Sequence, residues 1–275
     1  MGKLSASAVS MFRACPYSFY YKYIEKYKLL EQTENENLSL GLAFHHILEN
    51  DNTIQKDFSD IDEKTFLSIK ASAEYIYNNY LLESVENKTL CDLFTNNKDI
   101  VKEFKIDQSD FIGYIDLVIP TPNGDILIDY KYVSSFDYAD SYKISDQSKI
   151  YPALYTKQTG RPVVKMIYLC VAKPTIRLKK TETKEQYLNR VKEWYLEGNK
   201  VKEVLLCGND LKELRDEFDI DLSIIQQLIE NEMYYKNPSN CNKYGKKCDY
   251  YPICYQEPDY ECLYKKSWQV DKIVL

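Results

Sequence analysis

The stretch Phe111 to Val133, FIGYIDLVIPTPNGDILIDYKYV, constrains the fold of this chain more than any other. Phe111 to Ile119 and Asp125 to Val133 are rich in Ile, Val and Tyr, and Pro120 to Gly124 between them is turn chemistry with an Asn-Gly step. The pattern predicts a β-hairpin. Inside these apolar strands stand Asp116, Asp129 and Lys131. Residues two apart on a strand share a face, which sets Asp129 beside Lys131, and strand pairing can bring Asp116 near both. Two carboxylates gathered in this way repel, which raises a pKa or draws in a divalent cation; hard oxygen donors favour magnesium, manganese or calcium. A lysine beside them suits developing negative charge. The plain alternative is a hairpin whose charges sit in water around an incidental Asp–Lys pair. In either case none of the three is expected to fill the core.

The chain of 275 residues can bury a substantial core, and one elaborated domain is the expectation. No apolar run reaches the roughly 18 residues of a membrane span, and MGKLSASAV lacks the apolar core of a signal peptide, so an intracellular protein is expected. In that setting its eight cysteines point to a metal or cluster role for some of them rather than to disulfides. The net charge of −6 weighs against a nucleic-acid partner only on average. Lys165 to Lys180 can form a basic face while carboxylates at a metal site keep the sum acidic. The 26 tyrosines are spread over the whole chain and read mainly as core and surface filler, although tyrosines can stack on bases.

Leu4 to Lys28 has helical spacing opened by a capping serine, and Cys15-Pro16 predicts a break with a second helix starting at Pro16. Gln32 to Asn37 reads as a loop, and Leu38 to Glu49 as a helix carrying both histidines, His45 and His46. Asp60 to Val85 contains an amphipathic helix, a mixed segment follows, and Ile100 to Ile106 alternates as a strand before the hairpin. Ile144 to Thr156 predicts a helix with Gln147 and Tyr151 on one face. Arg161 to Ala172 predicts a buried strand, Thr183 to Leu206 a long helix, and Asp210 to Tyr235 one or two helices. Strand pairs interleaved with helices indicate a mixed α/β sheet. No internal repeat is visible. Near the C-terminus, Cys241, Cys248 and Cys254 give C-x6-C-x5-C in the irregular segment Asn237 to Leu263, backbone of a kind that can wrap a metal. Three clustered thiols need a fourth ligand, and Cys262 is close in sequence. Thiolate sites hold zinc or iron. Cys91, Cys170 and Cys207 read as buried packing residues.

Gly113-x-x-Asp116 followed by Ile128-Asp129-Tyr130-Lys131 resembles the core of the PD-(D/E)XK nucleases. The Asp-Tyr-Lys form is similar to the RecB nuclease domain and its CRISPR-associated and phage exonuclease relatives. Further motifs of that family stand in its order: Ser7-x-x-x-x-Phe12-x-x-Cys15-Pro16, Gly41-x-x-x-His45, Gln147-x-x-x-Tyr151 and the three late cysteines. The resemblance implies a restriction-endonuclease-like core, a mixed central sheet flanked by helices, with helical additions and a C-terminal cysteine-rich clasp. Its layout would be N-terminal helices over 1–30, the nuclease core over 38–175, a helical region over 180–235 and the cysteine segment over 237–263. It implies His45, Asp116, Asp129 and the carbonyl of Tyr130 as ligands of Mg²⁺ or Mn²⁺, and Asp116, Asp129, Lys131, Gln147 and Tyr151 as the catalytic group. Gln147 and Tyr151 would contact DNA or orient that group.

It also implies that Cys15 joins Cys241, Cys248 and Cys254 on a [4Fe-4S] cluster, with zinc as the rival and a first cysteine spacer longer than the family's compact one. The implied activity is metal-dependent hydrolysis of DNA, as an exonuclease at DNA ends in repair, recombination or phage replication. The implied setting is the cytoplasm, a phage host's included, beside a helicase, recombinase or other replication or repair partner. A catalytically silent DNA-binding or complex-forming module of the same fold, and a structural zinc protein, remain as alternatives.

Overall fold

In the computed structural model, which describes residues 3–30, 36–50, 58, 60–82, 88–108, 110–243 and 245–266, helices begin where the sequence offers caps. The Ser5 hydroxyl accepts a hydrogen bond from the Ala8 N–H at 3.2 Å and opens α1 (Ala6–Ala14). Cys15 is extended, and Pro16, pre-set for a first helical turn, starts α2 (Pro16–Phe19), which runs on as a π-helical turn to Ile24. The helix expected to reach Lys28 stops there. Lys26 takes a positive φ and Tyr27–Leu29 form the short strand β1. Of the loop expected over Gln32 to Asn37, the residues before Glu36 lie outside the described ones, and α3 (Glu36–Glu49) already includes its end.

Asp62 accepts hydrogen bonds from the N–H groups of Lys64 and Thr65 and caps α4 (Glu63–Tyr75), prolonged by a π-helical turn to Leu81. A helix that the sequence pattern does not announce, α5 (Lys88–Asn96), precedes β2 (Val101–Gln108). The hairpin is present as β3 (Phe111–Thr121) and β4 (Gly124–Val133). Its turn depends on Gly124, whose φ is +131° and where a Cβ would lie 2.6 Å from the Pro162 carbonyl. A 3-10 turn (Ala139–Ile144) leads to α6 (Asp146–Thr159), and β5 (Val163–Ala172) follows.

The long helix expected over Thr183 to Leu206 is instead α7 (Lys184–Leu196) and a strand, β6 (Val201–Cys207). Gly198 and Asn199 both take positive φ and turn the chain, after which Val201 and Val204 favour extended backbone. Cys207, expected to be buried, ends this edge strand exposed, whereas Cys91 and Cys170 are buried. The last third contains α8 (Asn209–Glu230), a two-residue hairpin of β7 (Asn242–Lys243) and β8 (Lys246–Lys247), α9 (Tyr251–Cys254) and β9 (Tyr264–Lys266).

The central sheet has the order β2-β3-β4-β5-β6. β4 lies inside it, antiparallel to β3 and parallel to β5, and β5 is antiparallel to β6. The fold is therefore mixed α/β, with a five-stranded sheet flanked by helices. Ile126, Ile128 and Tyr130 of β4 pack with Phe44 and Ile47 of α3, Ile69 of α4 and Val191 of α7. The alternate residues, Asp125, Asp129 and Lys131, face the other way, where Tyr155 of α6 donates a hydrogen bond to Asp125.

The chain divides into two compact units. The larger comprises Glu34–Ile106 and Tyr114–Glu213; the smaller comprises Met1–Thr33, Asp107–Gly113 and Leu214–Leu275. Within the smaller unit the two ends of the chain meet: β1 pairs antiparallel with β9, and the Asn237 and Asn240 side chains donate to the Ala14 carbonyl at 2.9 and 2.6 Å. Among the described residues no helix is long and apolar enough to cross a membrane.

Candidate active site and cysteine cavity

The hairpin register sets the two carboxylates together. The paired register ends at Leu117 and Ile128, and Asp116 and Asp129 are the next residues on their two strands. There a side chain replaces the strand carbonyl: the Tyr130 N–H donates to Asp116 Oδ2 at 2.6 Å. His45, from α3, brings Nδ1 to 3.2 Å from the same oxygen. Neither carboxylate is the solvated charge that the hairpin alone suggested, since Asp116 is 8 % and Asp129 3 % exposed. Charges this deep must be compensated, and the local pairing follows from that need.

Lys131 Nζ lies 2.7 Å from Asp129 Oδ2 and forms an ion pair with it. Lys131 also donates to Gln147 Oε1 at 2.8 Å, and Gln147 Nε2 reaches the Tyr151 hydroxyl at 3.4 Å. The structure thus brings His45, Asp116, Asp129, Tyr130, Lys131, Gln147 and Tyr151 into one neighbourhood of the larger unit. His46 is placed differently, with Asn50 Nδ2 at 3.3 Å and its ring 5.5 Å from that of Phe58.

Mutual pairing sets the protonation. Burial alone would lower the His45 pKa, but the Asp116 charge outweighs it and lifts the imidazole to about 9. Burial pushes Asp116 up, and its His45 partner more than reverses this, holding it below the usual carboxylate range. For Asp129 burial wins and the carboxyl is raised, Asp116 adding to the effect against Lys131. Lys131, which burial alone would lower, is raised by the Asp129 charge and stays an ammonium.

A further carboxyl stands here that no sequence motif marks. Glu103 of β2 has φ +50°, a conformation few side-chain-bearing residues adopt. Burial first, then a hydrogen bond and the charge of Glu49, push its pKa up to about 9. Glu49 also lines a small cavity with Lys102, Asp116 and Tyr130. The available signal was a glutamate in a strand, with its partner far away on α3.

The donor chemistry of His45, Asp116 and Asp129 fits a hard divalent cation, with both carboxylates buried. In this arrangement Asp116 Oδ2 is engaged by His45 and Tyr130, and no three His, Cys, Asp or Glu among the described residues converge on one point as ligands of a single ion.

In the smaller unit Cys15, Cys241, Cys248 and Cys254 line one cavity, with Ser18, Lys236 and several tyrosines. Cys15 is held at the joint between α1 and α2. The six-residue spacer between Cys241 and Cys248 is taken up by the β7–β8 hairpin, whose register puts the two cysteines opposite each other, with the Cys248 N–H donating to the Cys241 carbonyl at 2.9 Å. The unusual spacing therefore lengthens a hairpin and leaves its ends together. Burial raises the Cys254 thiol pKa, Lys236 lowers it, and the thiols of Cys15, Cys241 and Cys248 raise it further, a measure of their proximity. Cys262 is exposed and does not line the cavity.

A family model described as the PD-(D/E)XK nuclease superfamily matches residues 3–255. Among solved structures, the chain resembles a protein from Eubacterium rectale provisionally named an exonuclease, with a TM-score of 0.58 and 13 % identity over 90 % of each chain. At that identity the likeness is one of fold. No curated protein matches the chain.

Proposed function

Because the chain belongs to the PD-(D/E)XK nuclease superfamily, we propose that it is a RecB-like exonuclease that hydrolyses phosphodiester bonds at DNA ends with Mg²⁺ or Mn²⁺. The observation that carries this reading is the meeting of Asp116, Asp129 and Lys131 with His45 in one buried site. His45, Asp116, Asp129 and the Tyr130 carbonyl would hold the cation. Bound there, it would supply positive charge at the scissile phosphate and activate water for attack. Lys131 offsets the negative charge that builds on the phosphoryl oxygens, Gln147 holds the ammonium by accepting its hydrogen bond, and Tyr151 steadies Gln147. Burial makes each of these charges act more strongly than it would in water.

Cys15, Cys241, Cys248 and Cys254 would hold a [4Fe-4S] cluster that ties together the ends of the smaller unit. What supports a shared site is that all four cysteines line one cavity of the smaller unit. We read both units as parts of one nuclease domain that works in replication or repair beside a helicase or recombinase. The test is incubation with end-labelled linear DNA, closed circular DNA and RNA in Mn²⁺, with an EDTA control. Loss of the linear DNA alone is expected; cleavage of the circle would make the enzyme an endonuclease, and intact DNA throughout would contradict the proposal.

A further inference from the structure

Lys131 meets two aromatic rings that belong to none of the motifs. Tyr142 lies on the 3-10 turn after β4, and Tyr168 lies on β5, paired in register with Asp129. Their rings stack with centroids 5.2 Å apart and planes 24° from parallel. Lys131 Nζ is 5.5 Å from one centroid and 5.6 Å from the other, inside the range over which a ring face attracts a cation. The pair is itself anchored. Tyr168 is 0 % exposed with its hydroxyl 3.0 Å from Ser145 Oγ, and the turn that carries Tyr142 is tied to β6 by the Lys202–Asp140 ion pair at 2.9 Å.

A lysine side chain is long and loses much rotamer freedom when its end is fixed. A third carboxylate could fix it, but would add negative charge beside a phosphate and compete for a divalent cation. A ring face attracts the ammonium without doing either. We infer that Tyr142 and Tyr168 form an aromatic seat that positions the Lys131 ammonium for phosphodiester cleavage, Tyr142 being the positioning residue open to substitution. This rests on the nuclease reading above.

The experiment pairs kinetics with a spectroscopic readout. In Tyr142→Leu, kcat on linear DNA in Mn²⁺ is expected to fall about tenfold with KM changed less than about twofold, while Tyr142→Phe, which keeps the ring, stays within about twofold of wild type. In protein labelled with ¹³C-lysine, the Lys131 ε-methylene proton signal, assigned by its loss in Lys131→Arg, is expected to move downfield in Tyr142→Leu and to stay in place in Tyr142→Phe. A Lys131 signal unmoved in Tyr142→Leu, or a kcat unchanged in that variant, overturns the seat. If the wild-type protein cuts no nucleic acid, the nuclease reading fails, and the resonance alone then decides whether the rings hold the ammonium.

Discussion

The carboxylate site of the larger unit and the cysteine cavity of the smaller are built by opposite means. The carboxylates sit at fixed positions on paired strands, and each has a partner supplied by the protein: the Tyr130 N–H and His45 for Asp116, Lys131 for Asp129. The thiols sit on turns, a two-residue hairpin and helix joints, and their own hydrogen bonds are weak, with Cys241 donating to the Asn237 carbonyl at 3.7 Å and Cys248 Sγ 3.4 Å from Ser18 Oγ. A sheet can organise charges before any ligand arrives, because its backbone is already satisfied. Turns wrapped round a cavity depend on what fills it. The difference makes substitutions in the first region chiefly a matter of activity and substitutions in the second chiefly one of stability.

The largest effects are expected at the carboxylates. Asp116→Ala, Asp129→Ala and Lys131→Ala should each lower kcat at least about a hundredfold. Because Asp116 is buried, its loss also removes the acceptor of the Tyr130 N–H and the partner of His45, and should cost about 2–4 kcal/mol in denaturant unfolding. Far-UV circular dichroism should still report a folded sheet; a chain that fails to fold would erase the contrast between the two regions.

Cys15→Ser comes next. Anaerobically purified wild-type protein should be brown, with iron and acid-labile sulfide in the ratio of the cluster, and Cys15→Ser should be bleached and less stable. Closing the long loop between Cys15 and Cys241 is worth up to about 5 kcal/mol by loop-closure entropy. The β1–β9 pairing already holds the same ends, so part of that figure should remain in the variant. Cys207→Ser and Cys262→Ser, both at exposed positions, should keep the colour. A bleached Cys262→Ser beside a brown Cys15→Ser would move the fourth ligand.

A smaller effect separates the two regions by pH. The His45 pKa is lifted above its unfolded value to about 9, so in EDTA-treated protein the His45–Asp116 pair contributes fully below pH ~6.5 and is lost as the pH rises towards 9. The loss should reach about 3 kcal/mol and should be absent in His45→Gln, as urea melts at pH 6, 7.5 and 9 would show. Smallest is Gly41→Ala. A Cβ there meets nothing within 4 Å, so replacing a mid-helix glycine should raise stability by about 0.5–1 kcal/mol. A drop in cleavage by this more stable variant would mark the open space one turn before His45 as a substrate approach.

Local patterns carried much of this architecture. The hairpin announced itself through Asn123-Gly124, the joint at Cys15 through Pro16, and the shared face of Gln147 and Tyr151 through their spacing. The pattern failed where the deciding contact is distant. Val201 to Cys207 follows a helix closely enough to prolong its periodicity, and only Gly198-Asn199 and the free edge beside β5 make it a strand. The pairing of Asp116 with His45 depends on a helix far away in sequence. The pairing of Glu103 with Glu49 needs an unusual φ that no composition encodes. The long Cys241–Cys248 spacer looked like a departure until its hairpin brought the ends together.

Asp129→Asn is the sharpest probe of the buried site, because it removes one charge and keeps the shape. Release of label from linear DNA in Mn²⁺ would be compared for wild type and variant after matching their folded fractions by thermal melts. The account predicts Mn²⁺-dependent release by the wild type and at least about a hundredfold slower release by Asp129→Asn. Equal rates for the two proteins would contradict it.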